Sequence, residues 1–113
     1  MIFYLYYTTM NIYIKEDAFN RIVSGSKTVE SRRYRGIFKN ITEGMIIKFK
    51  CNNNSMIIIV KKINIYDNIN NLLKYIDISK VGDNIDINKY RDILNICYQN
   101  FDGMMITIEF NLI

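Results

Sequence analysis

GSKTVESR, at positions 25–32, is the stretch that decides the fold prediction, and it has the pattern G-x-K-x-x-E-x-R. It follows a segment of helical periodicity and opens a segment with strand-like alternation. Gly25 suits the left-handed backbone that ends many helices. Glu30 and Arg32 are two positions apart, so on a strand they share a face. Lys27 has the opposite strand parity, so it joins them only if a turn or a bulge rotates it inward.

The segment upstream of this stretch predicts a short amphipathic helix. Glu16 and Asp17 would form its first turn, where acidic side chains complement the helix dipole. Phe19, Ile22 and Val23 recur at helical spacing and are expected to form its buried stripe.

The rest of the chain alternates between strand-like and helical patterns. Strands are predicted at residues 3–14, 27–33, 45–51, 56–65 and 103–110, with a turn at 42–44, an Asn-rich hairpin turn at 51–55 and a loop at 81–84. Residues 67–98 predict two helices, one with Leu72, Leu73 and Ile76 on its apolar face, the other with Tyr90, Ile93, Leu94 and Cys97. The order β-α-β-β-β-α-α-β indicates a mixed α+β fold. It leaves strand pairing open, although a closed or half-closed barrel would remove exposed edges.

Composition and length predict one folded domain over residues 1–113. Half of the residues are apolar, which argues against disorder. Asn, Ile, Lys and Tyr are abundant, a bias typical of an AT-rich genome that suits a large DNA virus and an AT-rich microbe equally. The net charge of +4 is compatible with a polyanionic partner, but Lys-rich codon usage explains it equally well.

Metal, membrane and secretory functions receive no support from the sequence. Histidine is absent and two cysteines, Cys51 and Cys97, are too few for a zinc site, so no metal or cofactor is expected. A disulfide between them stays open, but two free thiols are the simpler interpretation. The apolar start, Met1–Tyr7, is too short for a membrane span and is interpreted as a buried first strand. We therefore expect a cytoplasmic protein without membrane contact, of unknown oligomeric state.

In this pattern and its flanks the chain resembles the ASCH domain family of the PUA-like superfamily. Residues 19–24 resemble the family's helix before the glycine, 41–49 its turn and second strand, and 104–110 its last strand. One departure is Gly44-Met45, where the family turn usually has Gly-Asp. The resemblance implies a small PUA-like β-barrel of about five to six mixed strands with two to three short flanking helices. It also implies an association with RNA.

The resemblance and the residues together predict a ligand site. Lys27 offers three mobile donors, suited to a phosphate or to activating a nucleophile. The Glu30 carboxylate would accept from base N–H groups while Arg32 binds phosphate, or the two would simply pair. The structural alternative is a glycine cap followed by a solvated ion pair of little energetic value. The predicted ligand-binding residues are Gly25, Lys27, Thr28, Glu30, Arg32, Arg33, Tyr34 and Tyr90.

A basic cluster surrounds the motif and has Tyr34 interleaved. Basic side chains beside an aromatic ring suit single-stranded nucleic acid, although a solvated loop explains them as well. Tyr90 would line the pocket or, as the periodicity favours, belong to a helix core. The cluster comprises Arg21, Lys27, Arg32, Arg33, Arg35 and Lys39.

Three functions stay open: a binding module for RNA or a nucleotide-like molecule, a small metal-independent hydrolase, and a protein-interaction module that reuses the fold without its pocket. The third would have a buried or plugged cleft at Lys27 and Glu30. One bacterial branch of the family hydrolyses the amide of N4-acetylcytidine with a Lys, a Thr three positions later and a carboxylate from the later insert, and another is ribonuclease-like. Lys27 matches that lysine, but Glu30 stands where the threonine would be, which removes the hydroxyl nucleophile. Lys27 and Glu30 would then act as an acid/base pair, with Asp83 as a weaker candidate for the third group. The sequence leaves enzyme activity undecided.

Overall fold

The computed structural model describes residues 10–113. The chain forms five strands: β1 (Met10–Tyr13), β2 (Val29–Arg33), β3 (Ile46–Cys51), β4 (Asn54–Tyr66) and β5 (Met105–Leu112). Three α-helices connect them: α1 (Glu16–Val23), α2 (Ile69–Tyr75) and α3 (Ile87–Cys97). Two 3-10 turns occupy Gly36–Asn40 and Ile78–Lys80. The predicted element order and the α+β class are confirmed, while the predicted strand at Met1–Tyr7 lies outside the described residues.

All five strands belong to one mixed sheet with the order β1-β3-β4-β5-β2. β1 runs parallel to β3, and the other neighbours are antiparallel. A register shift between Val60 and Lys62 marks a bulge in β4, which bends a strand and increases its twist. The two edge strands approach each other, since Arg32 on β2 donates from Nη2 to the Tyr13 carbonyl of β1 at 2.8 Å. The sheet is therefore a half-barrel, consistent with the predicted PUA-like architecture.

Two apolar clusters form the core on the described part of the chain. The larger joins the sheet to α1 and contains Phe49 and Phe110, whose rings meet edge to face at 5.2 Å. The smaller packs α2 and α3 against the sheet and includes Leu72, Tyr90 and Leu94. Because β2 pairs antiparallel with the mostly buried strand β5, the motif is held at the edge of the sheet.

Most local predictions hold, but two residues are more exposed than their patterns indicate, Val23 of α1 and Cys97, which the periodicity assigns to the apolar face of α3. The Asn-rich hairpin lies between the paired residues Cys51 and Asn54, with Asn52 at a φ of +54°. Gly25 follows α1 at a φ of +88°, as expected for a glycine cap. Val23, however, is 58% exposed and not part of the buried stripe. α1 is only two turns long, and it directs Phe19 and Ile22 towards the core, while Val23 borders a groove beside the end of β5.

Cys51 is buried, Cys97 is exposed and both are free, as the simpler interpretation predicted. Among residues 10–113, no helix is long and apolar enough to cross a membrane.

Candidate functional site

A cavity of about 520 Å³ opens between α1, the edge strand β2 and α3. This volume lies within the usual range of small-molecule sites. Lys27, Glu30 and Arg32 contribute polar groups to its lining, and Ile85, Ile93 and Leu94 contribute apolar surface. The three charged residues of the motif thus converge on one cavity.

Lys27 reaches the cavity because it precedes the strand. The chain turns after α1, where Gly25 donates its N–H to the Ile22 carbonyl and Lys27 donates its N–H to the Arg21 carbonyl, both at 3.0 Å. β2 begins only at Val29, so strand parity does not apply to Lys27. Its Nζ donates to the Val29 carbonyl at 2.7 Å and lies 3.2 Å from Glu30 Oε1. The turn therefore provides the inward rotation that the site requires.

Glu30 is the hub of a buried charge network. The residue is 8% exposed and Lys27 is 6% exposed. Glu30 Oε2 accepts from Arg32 Nε at 3.2 Å and from Nη2 at 3.0 Å, while Oε1 faces Lys27. Burial by itself raises the pKa of the Glu30 carboxyl, but the charges of Lys27 and Arg32 and their hydrogen bonds outweigh burial and hold the pKa below its usual range. Glu30 is consequently an anion at neutral pH.

Arg32 makes several contacts within the protein itself. Besides its bonds to Glu30 and to the Tyr13 carbonyl, its guanidinium lies 5.4 Å from the centre of the Phe38 ring. Such a cation–π contact adds further stabilisation. Arg32 therefore links the two edge strands and holds Glu30 in place.

Ser31 connects the motif to α3. Its hydroxyl is hydrogen-bonded to the Tyr90 hydroxyl, and the Tyr98 hydroxyl donates to the Ser31 carbonyl at 3.3 Å. Burial raises the pKa of Tyr90 far above its usual value, so this phenol stays protonated. Tyr90 both packs in the smaller core cluster and lines the cavity, so the two alternatives for this residue hold together.

Asp83 lies outside this group. Its side chain is 66% exposed, and the residue is not among those that line the cavity. Its carboxylate accepts from Ser26 Oγ at 3.0 Å and lies 3.4 Å from Arg21 Nη1. Arg21 also donates to the Asp83 carbonyl and pairs with Asp17 at 3.1 Å. These contacts give Asp83 a role in joining the loop at 81–84 to α1.

The other predicted ligand residues are dispersed. Gly25 and Thr28 border a smaller groove of about 180 Å³, which Lys27 also touches. Arg33 lies over the rings of Tyr98 and Phe101, at 5.2 and 5.6 Å. Tyr34 packs against the larger core cluster. Of the basic cluster, the members that line the main cavity are Arg21, Lys27 and Arg32.

Sequence reasoning missed several lining residues. Tyr13 is 68% exposed at the cavity rim, as its parity opposite to the buried Ile12 and Ile14 would have indicated. Lys15 and Tyr98 also border the cavity, but no local pattern marks them. Among residues 10–113, no group of three or more Cys, Asp or Glu side chains is placed to hold a metal ion.

Comparison with known proteins identifies this fold. No protein-family model matches the sequence, and no curated protein matches it either. The hypothetical protein PH0355 is similar in structure, with a TM-score of 0.77 and 22% identity over 93% of this chain and 99% of that one. The solution structure of PF0455 from Pyrococcus furiosus gives 0.70 and 19%, over 93% and 97% of the two chains. ASCH from Zymomonas mobilis gives 0.65 and 17%, over 92% and 67%. The chain therefore has the fold of an ASCH domain.

Proposed function

We propose that this protein is a binding module for RNA or a nucleotide-like molecule, and that the ligand occupies the cavity above Lys27 and Glu30. The observation that carries the proposal is the convergence of these two buried charges on one cavity of about 520 Å³. Buried charges are costly unless they are paired, and they are concentrated at functional sites.

The walls of the cavity suit a planar heterocycle. Ile85, Ile93 and Leu94 provide apolar surface, and the Tyr13 and Tyr98 rings border the same space. Bases bind to proteins largely by stacking on aromatic side chains, which is tolerant of base identity. An apolar wall opposite a few placed polar groups is the usual composition of such sites.

The charge of the lining favours a ligand with an anionic group. Four basic residues line the cavity against two acidic ones, Asp17 and Glu30, which leaves an excess of two positive charges. Phosphate contacts provide much of the affinity of nucleic-acid-binding proteins. The basic residues are Lys15, Arg21, Lys27 and Arg32.

Calorimetric titration with the four nucleoside 5′-monophosphates and with a short single-stranded RNA tests the proposal. We expect at least one of these ligands to bind with a dissociation constant below millimolar and with affinity that falls as salt is raised, because phosphate contacts are screened. Failure of all five ligands to bind below millimolar at low salt would contradict it.

A second candidate is hydrolysis of a modified nucleoside or of RNA. The contact that favours it is the 3.2 Å separation of Lys27 Nζ and Glu30 Oε1, which places an acid and a carboxylate in the same cavity. The depressed pKa of Glu30 makes this carboxylate a weak base, so binding is the better supported function.

Incubation with N4-acetylcytidine and with end-labelled RNA separates the two candidates. Turnover that disappears in Glu30→Gln, while circular dichroism shows this variant to be folded, would establish the hydrolase. Ligand binding without such turnover would support the binding module and exclude the hydrolase.

A further inference from the structure

Hydrogen bonds inside the protein use most of the donors and acceptors of Lys27 and Glu30. Arg32 directs Nε and Nη2 to Glu30 Oε2, and its Nη2 also reaches the Tyr13 carbonyl. A lysine ammonium has three donors, and a carboxylate accepts about four hydrogen bonds. Lys27 directs one donor to the Val29 carbonyl and one to Glu30. Within the described residues this leaves one donor on Lys27 Nζ.

Glu30 in turn has one hydrogen-bond acceptor position that the described residues do not use. Its Oε2 accepts two N–H groups from Arg32, whereas its Oε1 faces only Lys27 among the contacts of the described residues. One acceptor position therefore remains on Oε1. The spare donor and the spare acceptor belong to atoms 3.2 Å apart, on two residues that both line the cavity.

We propose that Lys27 Nζ and Glu30 Oε1 together recognise one edge of a planar ligand, an N–H donor directly beside an acceptor, as in the amide edge of uracil or the amidine edge of adenine. This inference rests on the proposed function and deepens it, because it states which group of the ligand faces Lys27 and Glu30. Side-chain amides recognise adenine by the same kind of paired contact.

The polarity of this contact is fixed by the protein. An ionised carboxylate only accepts and an ammonium only donates. The ligand atom that faces Glu30 must therefore carry a hydrogen. A methyl group at that atom would place carbon against a buried carboxylate oxygen and leave this oxygen without a hydrogen bond. Sites that hydrogen-bond a polar group of their ligand reject analogues that lack this group.

Methylated nucleotides test this without any change to the protein. The comparison is uridine 5′-monophosphate with its N3-methyl and C5-methyl derivatives, and adenosine 5′-monophosphate with its N6,N6-dimethyl derivative, each titrated by calorimetry. We expect methylation at N3 or N6 to weaken binding about tenfold or more, as for loss of a paired base contact. The C5-methyl derivative adds the same bulk but keeps the N3 hydrogen, so its affinity should fall clearly less.

The outcomes separate this inference from the proposed function. If no nucleotide binds, this inference is overturned, and the proposed function is overturned with it only if the short single-stranded RNA also fails to bind. If the parent nucleotides bind and the N-methylated ones bind equally well, or if the C5-methyl control loses as much as the N3-methyl derivative, the nucleotide site stands and recognition by Lys27 and Glu30 is overturned.

Discussion

Replacing Glu30 with glutamine is expected to lower the free energy of unfolding by about 3 kcal/mol, because removing one partner of a buried ion pair leaves the other charge uncompensated. Glu30 is 8% exposed and contacts Lys27 at 3.2 Å and Arg32 at 3.0 Å. Glutamine keeps the shape but leaves two cations side by side. The expected loss of stability is at the lower end of the usual range for breaking a buried ion pair. The reason is that both cations retain a backbone carbonyl partner, Val29 for Lys27 and Tyr13 for Arg32. Urea unfolding followed by circular dichroism at pH 7 measures it.

The same variant has a defined pH dependence. The folded-state pKa of Glu30 is lowered, so its stabilising contribution is fully present above the unfolded value of about 4.3 and is lost as pH falls through the lower folded-state pKa. The difference between the natural protein and Glu30→Gln should therefore be constant above about pH 5 and shrink below about pH 4.

Glu43→Gln is the matched control, since Glu43 is exposed in the turn before β3. Surface substitutions of this kind change stability by about 0.5 kcal/mol or less. If Glu30→Gln and Glu43→Gln are equally stable, or if the Glu30 effect does not vary with pH, the buried network does not stabilise the fold as described.

Replacing Lys27 with methionine should leave the protein folded and weaken its binding of nucleotides. Methionine fills the space of the lysine stem, and Glu30 keeps its two hydrogen bonds from Arg32, so its charge stays compensated. The variant lacks the ammonium that faces the ligand. Hydrogen bonds to charged groups are worth about 1.5–3 kcal/mol, so nucleotide affinity should fall about 10- to 100-fold. Calorimetric titration measures the affinity, and circular dichroism checks the fold.

Lys89→Met provides the comparison for this variant. Lys89 is exposed on α3 and is not among the residues that line the cavity, yet its loss changes the net charge by the same amount. We expect its nucleotide affinity to stay within about threefold of the natural protein at physiological salt, where distant surface charges are screened. Equal losses in the two variants would mean that Lys27 acts only through net charge.

Much of the fold could be predicted from the sequence because its patterns are local. The apolar periodicity of residues 67–98 located α2 and α3, and the Asn-rich turn located the β3–β4 hairpin. Strand pairing was beyond such reasoning, because no local pattern makes β1 run parallel to β3 or places β2 beside β5. Val23 was misassigned for the same reason, since the neighbours of a helix end depend on tertiary packing.

The site was partly predictable from strand geometry. Shared parity correctly placed Glu30 and Arg32 on one face, where they form a salt bridge at 3.0 Å. The position of Lys27 depends on where β2 begins, and sequence patterns locate strand ends poorly. The bond from Arg32 to the Tyr13 carbonyl joins residues 19 positions apart and exists only because the sheet curves. Whether the site residues bind a ligand stays a prediction.

A nuclear magnetic resonance titration of the ¹⁵N-labelled protein with its best-binding nucleoside monophosphate tests most directly whether a nucleotide occupies the cavity lined by Lys27 and Glu30. The largest amide shifts should fall on residues 13–21, 27–32 and 81–85 and along α3, which together surround the cavity. Shifts confined to other surfaces, such as the exposed end of β5, or no saturable shifts at millimolar ligand, would contradict it.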